Sequence, residues 1–85
     1  MVNKMMKYRG YYIDKNNAGC FNSKKEVDEF IKKETVTSFK KYTKLSIKYP
    51  MSFASDICMR LGKRLHDEFG YSYEEIEMFE LEVMD

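Results

Sequence analysis

The chain predicts an α+β fold: an N-terminal β-hairpin followed by two amphipathic helices and a C-terminal helix, or a short helix plus a third strand. Three observations predict it. Residues 5–13 form an aromatic and apolar run, Met5-Met6-Lys7-Tyr8-Arg9-Gly10-Tyr11-Tyr12-Ile13, with strand character. Two capping signatures, Ser23-Lys24-Lys25-Glu26 and Ser72-Tyr73-Glu74-Glu75, mark helix starts. Beyond residue 23 the helical periods are stopped by Pro50 and Gly70.

The hairpin is expected to use residues 5–13 as its first strand. Asp14-Lys15-Asn16-Asn17 is the expected turn, because both asparagines tolerate left-handed backbone. Residues 18–21 would return as the second strand, with a bulge at Gly19.

Ser23 and Glu26 open the first helix, which runs to about Tyr49, where Pro50 restricts the preceding residue. At about 100° per residue, Val27, Phe30, Ile31, Phe39, Tyr42, Leu45 and Tyr49 share one broad face. Val36 and Ile47 fall opposite, so the helix is either buried on two sides or bent near Thr35-Val36-Thr37. The second helix begins near Ser52, with Asp56 suited to the positive end of its dipole. Phe53, Ala54, Ile57, Cys58, Leu61, Leu65 and Phe69 make its apolar stripe, and Gly70 is placed to end it in left-handed conformation.

The third helix starts at Tyr73, with Tyr71 and Ile76 at the spacing of a hydrophobic staple. Residues 79–83 alternate apolar and acidic, which also suits a half-buried strand. Such a strand beside the first would set Glu80 and Glu82 across from Lys7 and Arg9. Both readings stand at this stage. No repeat, linker or low-complexity stretch divides the chain, so residues 1–85 read as one small globular domain. The expected core is Tyr12, Val27, Phe30, Ile31, Phe39, Tyr42, Phe53, Ile57, Leu61, Leu65, Phe69, Ile76 and Phe79.

Thirteen aromatics among 85 residues indicate a folded chain despite 34% charged residues. This length lies near the lower end of what one apolar core stabilises, so a monomer and a homodimer are both open. Two cysteines, Cys20 and Cys58, make neither a disulfide framework nor a zinc cluster. The N-terminus lacks the apolar run of a signal peptide, and no stretch is long and apolar enough for a membrane span. A cytoplasmic protein with reduced thiols and no membrane partner is therefore expected.

Charge is sorted along the chain. All fifteen Lys and Arg lie at or before Arg64, against six acids there, a formal charge of +9. Residues 65–85 carry eight acids and no Lys or Arg, so a total of +1 conceals two poles. Lys33, Lys40, Lys41, Lys44 and Lys48 fall within about a third of the first helix's circumference, a footprint suited to a phosphate backbone. Twelve of the fifteen bases are lysine, which leaves few arginines for base readout. Glu74, Glu77, Glu80 and Glu82 form the candidate surface for a protein partner. Alternatively the acidic end folds back over the lysines, within one chain or between copies.

No catalytic residue, metal ligand or cofactor is expected. His66 is the lone histidine, on the polar side of its helix, and reads as a solvated surface residue. Cys58 lies eight positions earlier, roughly 12 Å along a helix, beyond the reach of a thiolate–imidazole pair. Gly62-Lys63-Arg64 lacks the rest of a phosphate-binding loop.

The stretch Phe21-Asn22-Ser23-Lys24-Lys25-Glu26-Val27-Asp28-Glu29-Phe30-Ile31-Lys32 and the stretch Arg64-Leu65-His66-Asp67-Glu68-Phe69-Gly70-Tyr71-Ser72-Tyr73-Glu74-Glu75-Ile76-Glu77 carry a resemblance. They resemble short uncharacterised proteins carried on conjugative transposons of clostridia and related Gram-positive bacteria. The shared residues are caps, core positions and helix surface. The resemblance implies a setting, an accessory role in element maintenance, transfer or defence, and no site residue. The expected function is thus a non-enzymatic interaction module acting through segregated charged surfaces on a protein partner. The alternative is an accessory nucleic-acid-binding protein using the lysine stripe.

Overall fold

A computed structural model describes residues 6–84. Five elements follow one another: β1 (Met6–Tyr8), β2 (Tyr11–Ile13), α1 (Lys24–Lys48), α2 (Ala54–Asp67) and α3 (Tyr73–Val83). The fold is α+β, a two-stranded antiparallel hairpin followed by three helices. The chain divides into two compact units, residues 1–31 and 32–85, with the division inside α1.

In the first unit, Met6 pairs with Ile13, Lys7 with Tyr12 and Tyr8 with Tyr11. Arg9 and Gly10 make the connection, both at positive φ (53° and 88°), the pair of left-handed residues that a type I′ turn needs. The turn expected at residues 14–17 forms, with Asn17 N–H donating to Asp14 O (3.2 Å), but it is not the hairpin connection, and the return strand expected at 18–21 is corrected to a single bridge. Met5 lies outside the described residues, and residues 6–13 do not form one strand, because Gly10 enters left-handed backbone without steric cost and lets the run close on itself. Residues 14–20 form a loop that brings Phe21 back to a single parallel bridge with Ile13. Phe21 N–H donates to Tyr12 O (3.0 Å) and Asp14 N–H to Phe21 O (2.9 Å). The side chains of the loop serve it locally: Asp14 Oδ1 accepts from Asn16 N–H and Asn17 Oδ1 from Gly19 N–H.

Pleating puts Tyr11 and Tyr12 on opposite sides of β2. Tyr11 meets Phe21 and Phe30 edge-on, with ring centroids 5.4 and 5.5 Å away. Tyr12, expected in the core, is exposed, with the Lys7 ammonium 5.7 Å from its ring centroid. Tyr8 Oη donates to the Asp28 carboxylate, which Arg9 Nη1 also reaches at 3.2 Å. Ser23 Oγ accepts from Glu26 N–H as the capping signature requires. The Glu26 carboxylate reaches one residue further than expected, to Asn22 N–H.

α1 continues unbroken through residues 35–37. Its buried positions are Val27, Ile31, Thr35, Phe39 and Thr43, every fourth residue. Four residues overshoot one turn by about 40°, so this stripe winds around the helix. A fixed face at one angle therefore missed Thr35 and Thr43. It also placed the half-buried Val36 opposite the core and included the exposed Phe30 and Tyr49.

In the second unit, Phe39, Leu65 and Ile76 form the core, one residue from each helix. Val36, Cys58, Leu61, Phe69, Tyr71 and Phe79 pack around it. Buried Gly62 allows the close approach: a Cβ there would stand 3.2 Å from Phe39 Cε1. The N-cap of α2 is Phe53, not Ser52, although Ser52 Oγ still accepts from Ala54 N–H. Phe53, expected in the core, lies 82% exposed.

Gly70 ends the turn after α2 at φ 74°, as its position implied. Gly70 N–H donates to His66 O and Tyr71 N–H to Leu65 O. Both bonds of the second capping box are present: Glu75 N–H to Ser72 Oγ and Ser72 N–H to Glu75 Oε1. α3 then runs through Val83, which corrects the third-strand alternative. Once the box nucleates the helix, Ile76, Phe79 and Val83 at i, i+3 and i+7 turn inward, and the two-residue alternation has no sheet edge to satisfy.

Gly10→Ala should cost about 1 kcal/mol through its left-handed backbone alone, since nothing lies within 4 Å of the added methyl. Gly19→Ala, where φ is not positive, should change the denaturation midpoint far less. Thr43 Oγ1 is buried without a hydrogen-bond partner. Thr43→Val should therefore leave stability unchanged or raise it by up to about 1 kcal/mol, read from urea denaturation.

Candidate interaction surfaces

The two charge poles sit on different helices of the second unit. Lys33, Lys41, Lys44 and Lys48 are exposed along α1 and make no ion pair among the described residues. From Lys33 to Lys48 they span roughly 22 Å of helix. Lys40, the fifth expected lysine, differs. Its Nζ lies 2.6 Å from Glu82 Oε2 and 5.1 Å from the Phe79 ring centroid. The acidic end thus meets the lysine stripe through one ion pair among the described residues.

α3 carries five acids and no base. Glu75 closes the capping box and Glu82 holds Lys40. Glu74, Glu77 and Glu80 are exposed, with no ion pair among the described residues. Periodicity at about 100° per residue puts Glu74, Glu77, Met78 and Leu81 together on the side away from Ile76 and Phe79.

An open cleft of about 380 Å³ runs along α2 and α3. Phe39, Gly62 and Ile76 form its apolar base, Met59 and Tyr73 flank it, and Lys63 and Glu80 carry its charges. Cys58 also lines it, with its thiol donating to Ser55 O within the helix.

His66, expected to be a solvated surface residue, is half-buried and structural. Its Nδ1 lies 2.8 Å from Tyr71 O. A carbonyl only accepts, so the proton is on Nδ1. The ring stacks on Tyr73 at 4.1 Å and 19°. His66 therefore ties the end of α2 to the start of α3. Helical periodicity did not show this, because the partners lie in the next turn and helix rather than on α2. No group of three or more His, Cys, Asp or Glu able to hold a metal ion occurs among the described residues. No described helix is long and apolar enough to cross a membrane.

No protein-family model, curated protein or solved structure matches the chain.

Lys40 and Glu82 keep 33% and 53% of their side-chain surface exposed, so solvent screens the pair. A double-mutant cycle with Lys40→Met and Glu82→Gln should give a coupling below about 1 kcal/mol that shrinks with added salt. Lys40→Met, which keeps a stem over Phe79, should cost less than Lys40→Ala.

Proposed function

We propose that the chain is a non-enzymatic interaction module acting in the cytosol, which docks a basic protein partner on the outer face of α3. The observation that carries this reading is that α3 is apolar on two sides. Ile76 and Phe79 pack in the helical core, while Met78 and Leu81 remain 59% and 51% exposed on the face they share with Glu74 and Glu77. An apolar centre with a charged rim is the anatomy of a protein interface. The unpaired acids would speed encounter with a cationic surface and orient it. The resemblance of the chain's capping and core segments to proteins of conjugative transposons supports an accessory role on a mobile genetic element.

A second reading has a specific observation in its favour. Four exposed lysines on α1 without ion pairs among the described residues suit a phosphate backbone. The apolar centre found on α3 has no counterpart within this stripe, where Thr37 shares the face of Lys33 and Lys41, so protein docking is preferred.

Affinity capture from the source cell separates the two. On the preferred reading a defined partner is retained by the intact chain and lost with Leu81→Asp or the Glu74→Lys/Glu77→Lys pair, while melting curves stay unchanged. Mobility-shift titration with duplex DNA and single-stranded RNA should show no shift at low salt. A steeply salt-dependent shift that disappears in Lys41→Glu/Lys44→Glu would move the function to α1.

A further inference from the structure

The corner between α1 and α2 exposes an unusual set of apolar side chains. Ile47 and Tyr49 are about half exposed, Phe53 is 82% exposed and Met51 is 100% exposed. They alternate over seven residues around Pro50. Isolated apolar side chains on a surface need no explanation, whereas a contiguous set marks a contact.

From this corner and the cleft along α2 and α3, we infer that the cleft receives the α1–α2 corner of a second copy of this chain. The cleft has an apolar base and falls within the roughly 300–1,000 Å³ of ligand-holding clefts. Charge identifies the occupant. The corner carries Lys48 within it, with Lys44 before it and Asp56 after it. The cleft carries Glu80 on its α3 wall and Lys63 on its α2 wall. All five side chains belong to exposed residues without an ion pair among the described residues. A purely basic or purely acidic partner would leave Lys63 or Glu80 facing a like charge or none. A segment carrying both signs in sequence matches both walls, and this chain supplies one.

A two-fold axis lets each copy give one corner and receive one, which closes the assembly at two. A chain near the lower size limit for a self-sufficient core gains buried apolar surface from such a contact. This contact is independent of the outer face of α3, because Met78 and Leu81 do not line the cleft.

Sedimentation velocity on the full chain, from micromolar to millimolar, tests it. A monomer–dimer equilibrium that weakens with salt is expected. Phe53→Glu and Glu80→Lys should each weaken dimerisation by about tenfold or more. Met51→Glu, at a wholly exposed side chain, should do the same with an unchanged circular-dichroism melt. That variant separates loss of contact from loss of fold. Combining Lys48→Glu with Glu80→Lys in one chain should recover most of the association lost with Glu80→Lys alone. A monomer at millimolar concentration overturns the inference, as does dimerisation indifferent to Phe53→Glu and Met51→Glu. Assemblies beyond two overturn the two-fold arrangement.

Discussion

Phe39 of α1 and Ile76 of α3 both reach α2 at position 62 because that position carries no side chain. A Cβ would stand 3.2 Å from Phe39 Cε1 and 3.8 Å from Ile76 Cγ2. Glycine in a helix interior costs about 1 kcal/mol relative to alanine, so α2 would form more readily without it. The cost is offset by ring packing, which places Phe39 at 2% exposure within a core of only three fully packed residues. The same missing side chain lowers the floor of the cleft between Met59 and Tyr73. Core packing and the opening of the cleft are therefore two consequences of one atom's absence.

Charge plays a different part from packing. Exposed ion pairs contribute little each, and the field of an exposed lysine fades over about 8 Å at physiological salt. Segregating fifteen bases from eight C-terminal acids consequently does little to hold this fold together. What it does is leave two surfaces of opposite sign on one small unit. Lys40 is where they touch, and its role there is mixed. The ammonium lies 5.1 Å from the Phe79 ring centroid and also meets Glu82.

Element order, the start of α3 and the stop after α2 were legible in the sequence because their signals are local. Ser72 and Glu75 complete each other over three residues, and Gly70 supplies the one conformation that other residues resist. The hairpin connection was misplaced because the sequence carries two turns. The one at residues 14–17 forms but closes the following loop, while Arg9 and Gly10 close the hairpin, with Arg9 also bound to Asp28, a residue nineteen positions away. Thr35 and Thr43 were invisible as core because their polarity hides them and the stripe winds. Of the candidate surfaces, the lysines and acids could be read from composition. The cleft could not, since Gly62 becomes informative only when Phe39 and Ile76 stand over it. His66 was misread because its partners, Tyr71 and Tyr73, lie beyond its own helix.

The distribution of apolar residues on the helical unit is the physical basis of both proposed contacts. A helix packed on one side of a core shows a single apolar stripe. α3 instead turns Ile76, Phe79 and Val83 one way and leaves Met78 and Leu81 exposed the other way. Acids separate the two sides, so the outer pair is not an extension of the inner stripe. The α1–α2 corner repeats the imbalance, with four large apolar side chains each at least half exposed. Leaving those groups in water gains nothing for an isolated fold of this size, where every buried apolar area counts toward stability. These two sets, each beside unpaired charge, are what the proposed contacts would cover.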